Sequence, residues 1–152
     1  MPIRQLLNDD VKAAMLAGDS LRLETLRGLK TAIQYADVAV RQRTPDGIAD
    51  DEILTLFARE AKKRQESADL YTRGGSSERA EKELAEKVII ETYLPEQMSE
   101  AELVTLIDAI IAEQGAAGPQ AMGKVIGAVK AKTGTSADGT LVARLVKEKL
   151  NA

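Results

Sequence analysis

Along nearly the whole of this chain the apolar residues return every three or four positions. A helix has 3.6 residues per turn, so that spacing gathers positions i, i+3, i+4 and i+7 on one face. Ile3, Leu6, Leu7, Val11, Ala14 and Met15 form a first stripe. Leu26, Leu29, Ile33, Ala36 and Val40 form a second, alternating steps of three and four, and such a seam needs a partner helix to cover it. Aromatic residues are 3% of the chain and tryptophan is missing, so the core must be built from Leu, Ile, Val, Ala and Met. That mixture suits helix packed on helix better than sheets, which favour aromatic and β-branched residues.

Caps and breakers divide the pattern into seven predicted helices, an all-α chain. The first spans Ile3 to Ala17, is stopped by Gly18, and hands over to a second capped by Asp19 or Ser20. The second is expected to end near Arg43, before the turn-forming Thr44-Pro45-Asp46-Gly47. Asp50 or Asp51 is the expected cap of the third, which carries Ile53, Leu54, Phe57, Ala61, Ala68 and Tyr71 and stops at Gly74-Gly75. Ser76 or Ser77 opens the fourth. It ends at Tyr93-Leu94, because Pro95 disfavours helix at the residue before it.

Ser99-Glu100-Ala101-Glu102 is a capping box for the fifth helix, whose stripe is Leu103, Leu106, Ile107 and Ile110. Met122, Val125, Ile126 and Val129 mark the sixth; Leu141, Val142, Leu145, Val146 and Leu150 mark the seventh. The stretch around Pro95 to Ser99 is the best domain boundary. It gives an N-terminal domain of about four helices over residues 1–94 and a small three-helix domain over 95–152.

The chain has no cysteine and no histidine, which removes disulfides, Cys/His zinc sites, cysteine nucleophiles and histidine bases. Any chemistry falls to carboxylates, Lys, Arg, hydroxyls and backbone, and no constellation of nucleophile, base and orienter can be assembled from them. The N-terminal residues carry no apolar signal core, and no run approaches the roughly 20 apolar residues that span a bilayer. A cytoplasmic location without membrane association is the expectation. At a net charge of −3 the whole molecule is no general binder of polyanions.

Charge is nevertheless uneven. From Pro95 to Pro119 there are five acids and no base; from Gln120 to Ala152 there are six bases against two acids, a local surplus of +4. Lys124, Lys130 and Lys132 fall on the sixth helix and its exit, and Arg144, Lys147 and Lys149 on the seventh. If those helices pack antiparallel, some of the side chains converge on one surface suited to phosphate. A last-turn preference for lysine explains Lys130, Lys132, Lys147 and Lys149 equally well.

Other charged groups have plainer readings. Asp50-Asp51-Glu52 suits a helix start, Asp9-Asp10 a solvated face, and Arg27, Lys30, Gln34 and Arg41 the polar side of the second helix. Arg59, Lys62, Lys63 and Arg64 alternate with acids at pairing distance along the third. Gly118 to Val125 nearly spells a P-loop, but Val125 stands where a magnesium-binding hydroxyl belongs and no strand precedes it. The expected role of Gly123 and Gly127 is to let helices approach closely.

Several segments taken together resemble a known family. Met122-Gly123-Lys124-Val125-Ile126-Gly127-Ala128-Val129, Ala137-Asp138-Gly139-Thr140-Leu141-Val142 and Leu145-Val146-Lys147 are similar to the C-terminal signature of the GatB/YqeY family. Arg22-Leu23-Glu24-Thr25-Leu26-Arg27, Leu29-Lys30-Thr31-Ala32-Ile33, Lys63-Arg64-Gln65-Glu66-Ser67 and Tyr93-Leu94-Pro95 resemble its N-terminal helical part. The family joins free-standing YqeY-like proteins to the C-terminal region of the B subunit of the glutamine-dependent tRNA amidotransferase, a carbon–nitrogen ligase. The resemblance implies a helical domain followed by a three-helix domain, contact with tRNA or an amidotransferase-like protein, and no cofactor or catalytic residue to carry over. Lys124, Lys130, Lys132, Arg144 and Lys147 are the expected nucleic-acid contacts.

Overall fold

The computed structural model of the chain describes residues 2–151. Among them the regular structure is helical throughout, with seven α-helices and no strand. These are α1 (Ile3–Ala17), α2 (Ser20–Val40), α3 (Asp50–Arg73), α4 (Ser77–Glu91), α5 (Glu100–Gln114), α6 (Met122–Thr133) and α7 (Gly139–Leu150). Short 3-10 turns at Pro119–Ala121 and Gly134–Ser136 flank α6. The chain separates into two compact units, Met1–Leu94 and Pro95–Ala152.

In the first unit, α3 and α4 form the most extensive helix pair, while α1 lies on α2 and both reach α3. The α2 seam supplies Leu26, Leu29 and Ile33 to a core shared with Leu7, Ala14, Ile48, Ile53, Phe57, Ala61 and Ile90. Phe57 meets Tyr93 edge to face, ring centroids 5.5 Å apart, an arrangement the ring quadrupoles favour. In the second unit a separate core of Leu103, Ile107, Ile110, Val125, Val129, Val142, Leu145 and Val146 joins α5, α6 and α7.

The caps show how sequence sets the ends. Gly18 takes the left-handed conformation at φ 69° and closes α1; Asp19 then accepts from the Arg22 amide to open α2. Ser99 accepts from Glu102 at the start of α5, and Asp138 from Leu141 at the start of α7.

Four expectations shift. α2 stops at Val40, because the amides of Arg43 and Thr44 both turn back onto the Val40 carbonyl. Ala49, not Asp50 or Asp51, is the N-cap of α3, so Asp50, Asp51 and Glu52 occupy its first turn and act through the macrodipole. Regular helix in α4 ends at Glu91, and a turn carries the chain to Leu94. Gly123 and Gly127 are exposed, and a Cβ at either would meet nothing within 4 Å, so neither serves a close helix approach. Their face of α6 lies opposite the Val125 and Val129 stripe that enters the core.

Candidate nucleic-acid interface

All five residues expected to contact nucleic acid are exposed. Lys130 and Lys132 stand in the last turn of α6 and Lys147 in that of α7, where the helix dipole favours cations. At about 100° per residue, Lys124 projects away from the core-facing stripe of α6, with Lys132 about 80° to one side and Lys130 about 120° to the other. Lys132, seven residues after Val125, falls on the line of the core-facing stripe but in the last turn, where it is exposed, so the α6 lysines spread round the helix rather than converging. The Lys130 stem lies against the start of α7, its Nζ 3.6 Å from where a Gly139 Cβ would stand.

Arg144 differs from the lysines. Its guanidinium bonds Glu148 at 3.0 Å one turn on and Glu100 of α5 at 3.4 Å, and these partners hold it firmly protonated. Lys149 likewise meets Asp108 of α5 at 3.3 Å. The acids of α5 therefore answer two of the cations counted in the local surplus, and from Pro95 to Ala152 seven acids face six bases. The cationic character of this unit resides in Lys124, Lys130, Lys132 and Lys147. None of these four is in an ion pair among the described residues.

Charge on the first unit is organised differently. Arg64 of α3 sits among three carboxylates: Glu60 at 3.1 Å, Glu86 at 2.9 Å and Glu83 at 3.9 Å. The pairing within α3 was legible from spacing, but the bridge to α4 was not, because nothing in sequence places Glu86 beside Arg64. Burial, and then the neighbouring Glu86, push the Glu83 carboxyl above its ordinary range. Lys63 pairs with Glu60 at 3.0 Å.

At the other end of the unit, Arg4 of α1 grips Asp37 of α2 and also donates to the Ile48 carbonyl at 2.9 Å. Asp10, expected on a solvated face, accepts instead from the Tyr93 hydroxyl. Burial and that bond push the Tyr93 hydroxyl well above the ordinary tyrosine range. Between α1 and α2 lies a shallow cavity of about 220 Å³ lined by Arg4, Leu7, Asn8, Lys30, Ile33 and Gln34. Its signal in sequence was the run Arg27, Lys30, Gln34 and Arg41, which spacing alone could not distinguish from a solvated face.

Among the described residues no cluster of carboxylates is arranged to hold a metal ion. No helix among them is long and apolar enough to cross a membrane.

Comparison with known proteins places these features in a family. The model of the Yqey-like protein family matches residues 4–150. "Altered inheritance of mitochondria protein 41, mitochondrial" of Lachancea thermotolerans is 29% identical over 109 residues, covering 70% of this chain and 57% of that protein. The protein of the same description in Eremothecium gossypii is 30% identical over 110 residues, covering 70% of this chain and 58% of its own length. The chain spans just over half the length of these curated relatives. With the family match running through both helical units, the chain belongs to the Yqey-like protein family.

Proposed function

We propose that this chain is a cytoplasmic accessory protein with no catalysis of its own, which contacts tRNA through the unit Pro95–Ala152. The observation that carries the reading is the set of four exposed lysines, Lys124, Lys130, Lys132 and Lys147, without carboxylate partners. Lysine ammonium groups spread over exposed helix surface suit phosphates, which are themselves spread along a backbone. Arg144 keeps a lesser role, since Glu148 and Glu100 already offset its charge. An amidotransferase-like protein is the partner that the resemblance to the GatB/YqeY family adds. Carbon–nitrogen ligase chemistry would belong to that partner.

Binding of the full chain to bulk tRNA tests this. Reversing Lys124, Lys130, Lys132 and Lys147 to Glu should abolish binding that reversal of Lys63 on α3 leaves intact. Equal loss in both variants, or none in either, overturns the assignment.

A second reading is an interaction module with no nucleic-acid role. It is favoured by apolar side chains left in solvent on the first unit: Tyr35 and Val38 on α2, Leu84 and Val88 on α4. Leu84 and Val88 stand one turn apart and so share a face of α4. This reading predicts a partner held equally well at low and high salt.

A further inference from the structure

α1 and α2 run antiparallel, as two contacts near their opposite ends require: Arg4 reaches Asp37, and Arg27 reaches the Met15 sulfur. Spacing then places Arg4, Asn8, Lys12 and Met15 along the side of α1 that borders α2. Across from them α2 presents Arg27, Lys30 and Gln34, and Arg41 follows at its C-cap in helical conformation, all within about 60° of arc and spread over about 21 Å. The cavity lined by Asn8, Lys30 and Gln34 opens between the two rows.

The charge state of this face is unlike that of its surroundings. Its carboxylate, Asp37, is fully engaged by Arg4 and the Ile48 amide. Lys12, Arg27, Lys30 and Arg41 have no carboxylate in ion-pair range among the described residues. On α3 and α4 the same unit pairs Lys63, Arg64, Lys82 and Lys87 with acids. Neighbouring like charges repel, and Lys12, Arg27, Lys30 and Arg41 have no direct ion pair among the described residues to offset that repulsion.

We infer that the α1–α2 face is a docking surface for an acidic, amphipathic segment of a protein partner. Four features select a peptide. Asn8 and Gln34 are neutral amides, able both to donate and to accept, which matches a peptide backbone or a carboxylate. The cavity floor is aliphatic, Leu7 and Ile33, and Met15 at one end is half exposed and adaptable, so an aliphatic side chain has a seat. A nucleic-acid single strand is held largely by stacking, and Tyr35, next to Gln34 in sequence, is turned about 100° away round α2. The groove between two antiparallel helices is the shape into which a helical segment lies.

The test uses the full isotope-labelled chain and a fluorescent peptide of about 16 residues, long enough to follow the ~21 Å stripe as a helix. The peptide carries glutamate at helical spacing with leucine between. Binding should move the amide resonances of Asn8, Lys12, Arg27, Lys30 and Gln34. The double reversal Arg27→Glu/Lys30→Glu should weaken it about tenfold, two exposed attractions becoming repulsions. Lys124→Glu/Lys147→Glu should leave affinity unchanged, and circular dichroism should show each variant folded. Shifts confined to α6 and α7, an unchanged affinity in the Arg27/Lys30 variant, or an oligouridylate that moves the α1–α2 amides while the peptide does not, each overturns the inference.

Discussion

The Arg4 guanidinium meets the Asp37 carboxylate with both terminal nitrogens, each at 2.8 Å, across 33 residues of chain. The same carboxylate accepts from the Ile48 amide at 2.9 Å. One ion pair thus ties α1, α2 and the loop into α3 together. Gly47 completes the arrangement at φ 87°, a left-handed backbone where an added Cβ would collide with Asp37 and stand 2.8 Å from Arg4 Nη2. Asp37→Ala should cost about 1–3 kcal/mol, since it strips a partner from a half-buried charge. Gly47→Ala should cost at least as much, through strain and displacement of the pair. Urea unfolding of each variant, against Asp46→Ala as an exposed control, measures both.

The same pair gives the fold an acid sensitivity of known sign. The bond from Arg4 holds the Asp37 carboxyl below its ordinary range, near 4 in an unfolded chain. Its contribution is therefore complete above about pH 4 and is lost as pH falls through the depressed folded value. Asp37→Asn should flatten the acid limb of a stability-against-pH curve and leave the neutral limb parallel to wild type. An unaltered acid limb would show that other carboxylates dominate there.

Glu83 works in the opposite direction. Its folded carboxyl titrates above the ordinary range, chiefly because it is desolvated and then because Glu86 is near. The stability tied to its proton is present below the unfolded pKa and lost as pH rises through the folded one. Glu83→Gln should raise the melting temperature at neutral pH, with the gain shrinking in acid. A variant that is less stable at every pH would mean that the Arg64 attraction at 3.9 Å outweighs the burial.

Phe57 is fully buried against the Tyr93 ring. Phe57→Ala should cost about 3–5 kcal/mol, the transfer loss plus the cavity left behind. Tyr93→Phe keeps the ring contact and removes only the bond to Asp10, so its cost should be about 0.5–1.5 kcal/mol. Comparable losses in thermal unfolding would contradict this division between packing and hydrogen bonding.

What was legible in the sequence is what depends on neighbours along the chain. The bounds of α1, the left-handed glycine after it and the Ser99 cap of α5 all rest on residues within one turn of each other. The all-helical class followed from apolar period and a core without tryptophan. Contacts over long separations were not legible: Arg4 with Asp37, Tyr93 with Asp10, and Arg144 with Glu100. Counting charge along the chain likewise overstated the basic character of α6 and α7, because α5 folds its acids against Arg144 and Lys149. The close helix approach expected at Gly123 and Gly127 is absent for a simple reason: a glycine on a solvent arc has no helix to approach.

The central claim is that lysines of the second unit contact the phosphates of tRNA. The most direct measurement is the salt dependence of tRNA binding by the full chain and by Lys124→Gln/Lys147→Gln, with log affinity plotted against log salt. Each lost phosphate contact should reduce the slope by about 0.7–0.9, so the double variant should lose about 1.4–1.8. An identical slope in wild type and variant, or no binding at low salt, contradicts the account.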